Sequence, residues 1–401
     1  MKKIRINLLA KVLIAILLGI GAGFVLPEWA GRIFATFNSI FSQFLSFMIP
    51  LIIVGLVVAA IADIGKEAGK VLLVTLLIAY ASTIVAGFLS MGVGMSMFPS
   101  LLASADPMDM INHPQGLQPI FTLEMPPILN VTSSLVISFV LGIAIAVMPG
   151  QVLKKGAQEF RTVIEMTIAN VIIPLLPLFI FGIFLNMTVM GQVAEIIETF
   201  IKIIAIIFVM HIFWLIFLYC VASIVNRGNP FKRLWTMMPA YMTALATQSS
   251  AATIPVTLRQ TIKMGVSDDI ASFTVPRNAT VHISGSMLKI VACSIAVLII
   301  AGTEVSMPTF IGFILMLAVT MVAAPGVPGG AIMAAIGLLT SMLGFDDAQI
   351  AMMIALYIAM DSFGTACNVT GDGAIALIVD KIFCKKGQDQ SSPESPIIEE
   401  R

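Results

Sequence analysis

Residues 347–380 read DAQIAMMIALYIAMDSFGTACNVTGDGAIALIVD, a long apolar run whose interior carries Asp361 and Asp372. A helix that spans a bilayer needs about 20 mostly apolar residues, and this run provides them. Carboxylates inside such a helix are costly, and they usually mark a functional site. The run therefore predicts a transmembrane helix that contributes polar groups to a site within the membrane.

The composition of the whole chain agrees with a membrane location. Of its 401 residues, 59% are hydrophobic and only 11% are charged, whereas a soluble domain has about 25% charged residues. The net charge of +0 provides no basic surface for nucleic acid. The four cysteines show no CxxC spacing, so we expect neither a disulfide framework nor a zinc site. Composition therefore excludes a soluble enzyme, a disordered protein and a nucleic-acid-binding protein.

Eight apolar runs are long enough to cross the membrane, and two further stretches are broken by prolines and polar residues. The predicted spans cover residues 8–26, 36–62, 70–98, 131–149, 162–190, 196–224, 266–301 and 347–380. The broken stretches cover residues 231–263 and 307–344. Both are predicted to be helical hairpins that enter the membrane and return to the same side.

The basic residues predict the orientation of the chain. Lysines and arginines precede the first span and follow the second, fourth, sixth and eighth, whereas residues 100–130 contain none. Because basic loops remain cytoplasmic, we expect a multi-pass protein of the cell (inner) membrane with both termini cytoplasmic. The hairpins then enter from opposite sides, which predicts an inverted repeat around a midplane site.

Four polar side chains of the last span fall on one face of the predicted helix. At about 100° per residue, Asp361, Thr365, Asn368 and Asp372 form one stripe about 16 Å long. Such oxygen ligands suit hard cations, and carboxylates can alternatively carry protons. The stripe therefore predicts a site for a cation and a polar ligand.

The seventh span carries a second polar cluster. Asn278, His282 and Ser286 are spaced four residues apart, and the Ser-Gly-Ser segment at 284–286 could unwind and free carbonyl groups for an ion. His282 is either a proton site, since imidazole titrates close to neutral pH, or a neutral hydrogen-bonding core residue. Lys289 is expected either to extend towards the membrane surface or to pair with a carboxylate.

With these motifs, the chain resembles the dicarboxylate/amino acid:cation symporter family, which includes the glutamate transporters and the neutral amino acid exchangers. The resemblance covers nearly the whole chain. It rests on TQSSAATIP at 247–255, NATVHISGS at 278–286, APGVPGG at 324–330 and the segment 361–372, which ends in NVTGD. It implies an all-α integral membrane protein with eight transmembrane helices, two re-entrant helical hairpins, inverted repeats and an elevator mechanism.

The resemblance also implies which residues bind the substrate. Asp361 falls where the family binds the amino group of the substrate. The hairpin positions supply backbone groups to its carboxylate and close over it. The implied substrate-binding residues are Ser249, Ser250, Val327, Pro328, Gly329, Asp361, Gly364, Thr365 and Asn368.

A second set of positions is implied to bind Na+. The set comprises Asn278, His282, Asn368 and Asp372, with Tyr80, Thr83 and Ser284 as further candidates. His282 is also the candidate for proton coupling. We expect no cofactor other than Na+ and/or H+ as the coupling ion.

The resemblance further implies a homotrimer in the lipid bilayer and two parts that move relative to each other. The scaffold and trimerisation elements are residues 1–69 and 120–195, which contain spans one, two, four and five. The transport domain is residues 70–99 and 196–382, which contain both hairpins and the remaining spans. Residues 383–401 are polar and are predicted to be a disordered cytoplasmic tail.

Two departures from the family pattern affect the choice of substrate. Members that take acidic substrates carry an arginine where this chain has Gly364, and Gln248 replaces an arginine found in the first hairpin of some prokaryotic members. A buried carboxylate needs a positive partner, so a small neutral amino acid is favoured. Arg277 could restore the missing charge, which leaves a C4-dicarboxylate or an acidic amino acid as the alternative.

A third departure affects the coupling ion. The family motif Asn-Met-Asp-Gly-Thr reads HISGS here, so His282 replaces the asparagine and Ser284 replaces the aspartate. Losing a carboxylate ligand weakens a sodium site. We therefore expect either fewer bound sodium ions or a proton carried by His282.

The sequence favours a secondary active symporter over three other classes. An ion channel and a non-transporting sensor remain alternatives. An intramembrane enzyme that uses Asp361 and Asp372 as an acid–base pair is disfavoured, because about 16 Å separates the two residues along the helix.

Overall fold

The computed structural model describes residues 8–64, 70–102, 116–191, 193–303, 306–322, 324 and 328–383. These residues form sixteen α-helices and one π-helical segment, Ile168–Ile172, which joins the fifth helix to the sixth. The helices are α1 (Leu8–Val25), α2 (Glu28–Ile64), α3 (Lys70–Leu102), α4 (Val131–Val147), α5 (Val152–Thr167), α6 (Ile173–Val189), α7 (Val193–Asn226), α8 (Pro230–Thr236), α9 (Met238–Thr247), α10 (Ser250–Lys263), α11 (Asp268–Val281), α12 (Ser284–Ile300), α13 (Met307–Met321), α14 (Gly330–Leu343), α15 (Asp347–Ala359) and α16 (Asp361–Phe383).

The helices are those of a multi-pass membrane protein. In the described residues, six segments are long and apolar enough to span a bilayer: Leu8–Val25, Glu28–Asp63, Lys70–Leu101, Val152–Val189, Ile197–Asn226 and Asp268–Ile300. Helices α15 and α16 make a seventh if they count as one span, since they meet at a bend of 59°. Helix α4 has 17 residues, at the lower limit for crossing the bilayer. Eight spans therefore remain a prediction.

The helices pack most extensively within two groups. In the first group, α1 packs on α6, and α2 packs on α4, α5 and α6. In the second group, α12 packs on α3, and α16 packs on α7, α9, α10 and α11. Smaller contacts join the groups, where α14 packs on α2 and α15 packs on α1 and α6. The polar residues of the last two predicted spans all belong to the second group.

Burial identifies the centre of that second group. Within the apolar window of Asp268–Ile300, 94% of the residues are buried, compared with 17% for Leu8–Val25. Helix α1 instead exposes Leu17 and Phe24, as expected of a helix that faces lipid. Helix α12 is therefore a core helix, and its polar side chains must find partners within the protein.

Helix α1 approaches α6 closely through small residues. A Cβ atom added at Gly19 would lie 2.5 Å from the carbonyl oxygen of Phe181, and one added at Gly23 would lie 2.5 Å from Cβ of Thr188. Glycines four residues apart allow this approach between membrane helices.

Each broken stretch of the sequence contains a pair of helices that pack on each other, and in the first stretch α8 precedes the pair. Gln248 and Ser249 join α9 to α10, and Gln248 has a left-handed backbone with φ of 54°. Helices α13 and α14 form the second pair, and Gly329 precedes α14 with φ of 76°. We call these pairs hairpin 1 and hairpin 2. The membrane side from which each hairpin enters remains a prediction.

The break in the seventh span lies earlier than the sequence predicts. The Ser-Gly-Ser segment was expected to unwind, but residues 284–286 form the first turn of α12. The non-helical residues are His282 and Ile283, which separate α11 from α12. The first N–H groups of a helix need outside acceptors, and α16 supplies one, as described below. The predicted cytoplasmic tail, except Phe383, lies outside the described residues.

Candidate functional site

Helix α16 carries the four predicted polar residues. It begins at Asp361, directly after the bend at Met360. Asp361, Thr365, Asn368 and Asp372 are all buried, with exposed fractions between 1% and 7%. Their common burial agrees with the predicted stripe.

A small polar cavity lies between the two hairpins and helices α11, α12, α15 and α16. It has a volume of about 40 Å³, which holds a few water molecules. Its lining residues are Gln248, Ser250, Ala279, Thr280, Ile283, Ser286, Ala324, Ala331, Tyr357, Asp361, Thr365 and Asn368. Asp372 does not line the cavity and lies further along α16.

Each hairpin is tied to the start of α16 by a hydrogen bond. In hairpin 1, Nε2 of Gln248 donates to Oγ of Ser362 at 2.8 Å. In hairpin 2, the backbone N–H of Gly329 donates to Oδ2 of Asp361 at 2.8 Å. Ser249 caps α10, because its Oγ accepts from the N–H of Ala252 at 3.3 Å. The tips of both hairpins are thus held against the same end of α16.

The second oxygen of Asp361 accepts a hydrogen bond from a buried lysine. Nζ of Lys289 lies 3.1 Å from Oδ1 of Asp361, and the lysine side chain is 0% exposed. The same Nζ lies 3.5 Å from the ring centroid of Tyr357. Of the two sequence expectations for Lys289, the structure shows pairing with a carboxylate. The pairing explains how both charged groups tolerate burial.

Gly364 makes room for this lysine. A Cβ atom at position 364 would lie 2.5 Å from Cε and 2.7 Å from Nζ of Lys289. The lysine side chain therefore occupies the space beside α16 that a side chain at position 364 would need. The ammonium group of Lys289, on α12, therefore lies next to Gly364.

Asn368 supplies the acceptor that the start of α12 requires. Its Oδ1 accepts from the N–H of Gly285 at 2.8 Å and from that of Ser286 at 3.4 Å. Its Nδ2 donates to Oγ of Ser286 at 3.2 Å. Oγ of Ser286 also lies 3.1 Å from the hydroxyl oxygen of Tyr357. The amide of Asn368 therefore joins α16 to the break before α12.

His282 lies in that break and contacts both α16 and α3. Its Nδ1 is 3.0 Å from Oδ1 of Asp372, and its Nε2 is 3.0 Å from Oγ of Ser82. His282 and Asp372 are 0% and 1% exposed. Ser82 was not among the predicted site residues, and only its place beside Thr83 on a polar part of α3 could have suggested it.

Three buried polar side chains lie within four residues of His282 or Asp372 in the sequence and have no hydrogen-bond partner in the described structure. They are Asn278, through both side-chain atoms, and the hydroxyl groups of Ser284 and Thr370. Unpaired buried polar groups are uncommon in proteins, so they are candidates to hold an ion. The sequence predicted Asn278 and Ser284 as such ligands, but not Thr370. The described residues contain no group of three or more His, Cys, Asp or Glu side chains that could hold a metal ion.

His211 contributes a contact to the break in the seventh span. It lies on α7, and its apolar neighbours predict a structural role. Its Nε2 is 3.0 Å from the carbonyl oxygen of Gly285. His211 thus anchors the first turn of α12 to α7, which agrees with that role.

The structure does not bring every predicted site residue to the cavity. Thr83 donates to the carbonyl oxygen of Ala79 within its own helix, and half-buried Tyr80 packs against the hydrophobic core. Arg277 is half-buried and is not among the residues that line the cavity. Pro328 is half-buried at the tip of hairpin 2, and Val327 lies outside the described residues.

The fold is that of a helical membrane protein with a polar cavity between its two hairpins. The family model of the sodium:dicarboxylate symporter family matches residues 8–382. The chain belongs to this family, which confirms the family expected from the four motifs.

Proposed function

We propose that the chain is a secondary active symporter that couples the entry of Na+ and/or H+ to the uptake of a small carboxylate-bearing solute. The main support is the polar cavity between the hairpins, where buried Asp361 accepts the N–H of Gly329. Helix α10 begins at Ser250 and α14 at Gly330, and both starts adjoin this cavity. Helix N-termini offer free N–H groups to anions, so a carboxylate suits the cavity.

Two classes of solute fit this proposal. A small neutral amino acid would place its ammonium group at Asp361, and the absence of an arginine at Gly364 supports this choice. A C4-dicarboxylate or an acidic amino acid is the second candidate. The position of Lys289 favours the second candidate, because it provides a cation next to Gly364. Neither Lys289 nor Arg277 lines the cavity, but Lys289 contacts Asp361, which does, so Arg277 is the weaker charge partner.

The coupling ion would bind around Asp372 and the break before α12. Unpartnered oxygen atoms of Asn278, Ser284 and Thr370, together with Asp372, offer the ligands that Na+ prefers. The contact between His282 and Asp372 supports a proton as the alternative. Uptake should be measured across a range of pH, with and without Na+, in wild type and in His282→Gln. A rate that is insensitive to pH in both proteins would count against proton coupling through His282.

Two features support an elevator mechanism. The site is built almost entirely from the helix group that contains α3, α7 and α9–α16, while α1, α2, α4, α5 and α6 pack with one another. The described residues that line the cavity also all lie on helices α9–α16 or on the segments that join them, so the site can move together with this group. In this proposal, the second group carries the substrate as a transport domain. The first group forms the scaffold of a homotrimer.

The proposal is tested by uptake into proteoliposomes that contain the full-length chain. The solutes are labelled alanine, aspartate and succinate, each with an inward Na+ gradient, an inward proton gradient or no gradient. We expect saturable, gradient-driven uptake of at least one solute and a loss of about tenfold or more in Asp361→Asn. Ser294→Ala is the control, because it removes only a hydroxyl group that donates to the backbone oxygen of Ile290 on α12.

Two other outcomes would replace the proposal. An ion current that no solute saturates would indicate a channel. Binding of a solute without uptake under any gradient would indicate a sensor.

A further inference from the structure

Lys289 is fully buried within a membrane protein, and its charge is compensated by Asp361 and by the ring of Tyr357. Its side chain is 0% exposed, and its Nζ lies 3.1 Å from Oδ1 of Asp361. The face of the Tyr357 ring lies 3.5 Å from the same nitrogen. Burying a charged side chain inside a membrane protein is very unfavourable without such partners. Lys289 and Asp361 therefore depend on each other.

The environment of Lys289 is built to hold it in this position. Helix α16 carries Gly364 where the lysine side chain crosses it, and an added Cβ would lie 2.5 Å from Cε of Lys289. The hydroxyl oxygen of Tyr357 is 3.1 Å from Oγ of Ser286, which fixes the ring on which the ammonium group rests. The lysine cannot be moved without disturbing these contacts.

Asp361 is charge-compensated before any ligand enters the cavity. One oxygen accepts from Lys289, and the other accepts from the N–H of Gly329. Among the described residues that line the cavity, Asp361 is the only carboxylate. The other buried acid of the stripe, Asp372, contacts His282 outside the cavity. The cavity therefore offers no uncompensated negative charge.

This charge balance determines which ligands are tolerated. The ammonium group of an amino acid would have to share Asp361 with Lys289, which would place two cations on one buried carboxylate. If the ligand displaced the lysine instead, the charge of Lys289 would remain buried without its carboxylate partner. A carboxylate ligand without an ammonium group avoids both penalties, because it needs only the N–H groups at the starts of α10 and α14 and the neutral polar side chains of the cavity.

We propose that Lys289 determines specificity by acting as a built-in counter-ion of Asp361, so that the site accepts small carboxylates without an ammonium group and discriminates against amino acids. Lys289 then takes the place that the amino group of a substrate would otherwise occupy. This inference rests on the proposed transport function, and it names the class of solute that the site takes.

Matched ligand pairs test this inference in the wild-type chain. Succinate and aspartate differ by one ammonium group, and lactate and alanine differ by the exchange of a hydroxyl group for an ammonium group. Each is used as an unlabelled competitor of gradient-driven uptake and as a ligand in thermal-shift titrations of the full-length protein. We expect succinate to bind at least about tenfold more tightly than aspartate, and lactate more tightly than alanine. Equal or tighter binding of the amino acids would overturn the inference.

Lys289→Met then tests the role of the lysine itself. Methionine keeps much of the apolar stem and removes the charge, which frees Asp361 for a ligand ammonium group. We expect the preference for succinate over aspartate to fall by about tenfold or more, and the added Asp361→Asn substitution to abolish the gain in aspartate binding. Ser294→Ala on the same helix should keep the wild-type preference.

The outcomes separate this inference from the proposed function. An unchanged preference in folded Lys289→Met would overturn only the role of the lysine. If Lys289→Met does not fold, the wild-type ligand pairs still decide the question. If wild-type protein takes up none of the four solutes under any gradient, the proposed function fails and the inference fails with it.

Discussion

Replacing Gly364 with alanine should push Lys289 away from Asp361. The new Cβ atom would lie 2.5 Å from Cε and 2.7 Å from Nζ of the lysine, distances that non-bonded atoms do not tolerate. Loss of one partner from a buried ion pair costs about 3–5 kcal/mol. Within a helix, alanine is about 1 kcal/mol more stabilising than glycine, which offsets part of this cost. We therefore expect Gly364→Ala to lower the free energy of unfolding by about 2–4 kcal/mol.

The measurement is a denaturant titration of detergent-solubilised protein, followed by the fluorescence of buried Trp214. Gly92→Ala is the matched control, because an added Cβ there meets nothing within 4 Å and should slightly stabilise α3. In a Lys289→Ala background the space beside α16 is empty, so Gly364→Ala should become neutral or stabilising. A Gly364→Ala protein as stable as Gly92→Ala would refute the close packing of lysine and glycine.

Three further predictions concern other contacts of the fold and site. Gly19→Ala should destabilise the protein by about 1–3 kcal/mol in the same titration, because its Cβ would collide with α6, whereas Gly21→Ala on the same helix has open space and should not. Asn368→Ala should cost about 1–3 kcal/mol, because it removes the acceptor for the first N–H groups of α12; an unchanged unfolding midpoint would show that this cap is dispensable. Gln248→Ala should raise the KM for uptake while leaving the free energy of unfolding within about 1 kcal/mol of wild type, since it frees hairpin 1 from Ser362; an unchanged KM would mean that this hydrogen bond does not position the hairpin.

Much of the fold could be predicted from local sequence. Apolar runs identify the helices, and the prolines, glycines and serines that interrupt these runs identify the breaks. Helices and breaks can be predicted in this way because each depends mainly on residues that are neighbours in the chain. The hairpins at 231–263 and 307–344 and the polar stripe of α16 are examples. The exact break in the seventh span could not be predicted in this way. Residues 284–286 stay helical because Asn368, on another helix, accepts the N–H groups of Gly285 and Ser286.

The sequence alone determined that this is a helical membrane protein with carboxylates within a span, because composition and periodicity suffice for both. It also narrowed the role of Lys289 to two possibilities and that of His282 to three. Only the tertiary structure paired Lys289 with Asp361, 72 positions away, and His282 with Asp372, 90 positions away. Helical periodicity gives the face on which a side chain lies, but its partner depends on which helix packs against that face. That packing is settled by the shapes of all the helices together, so the charge balance of the site emerges only in the folded protein.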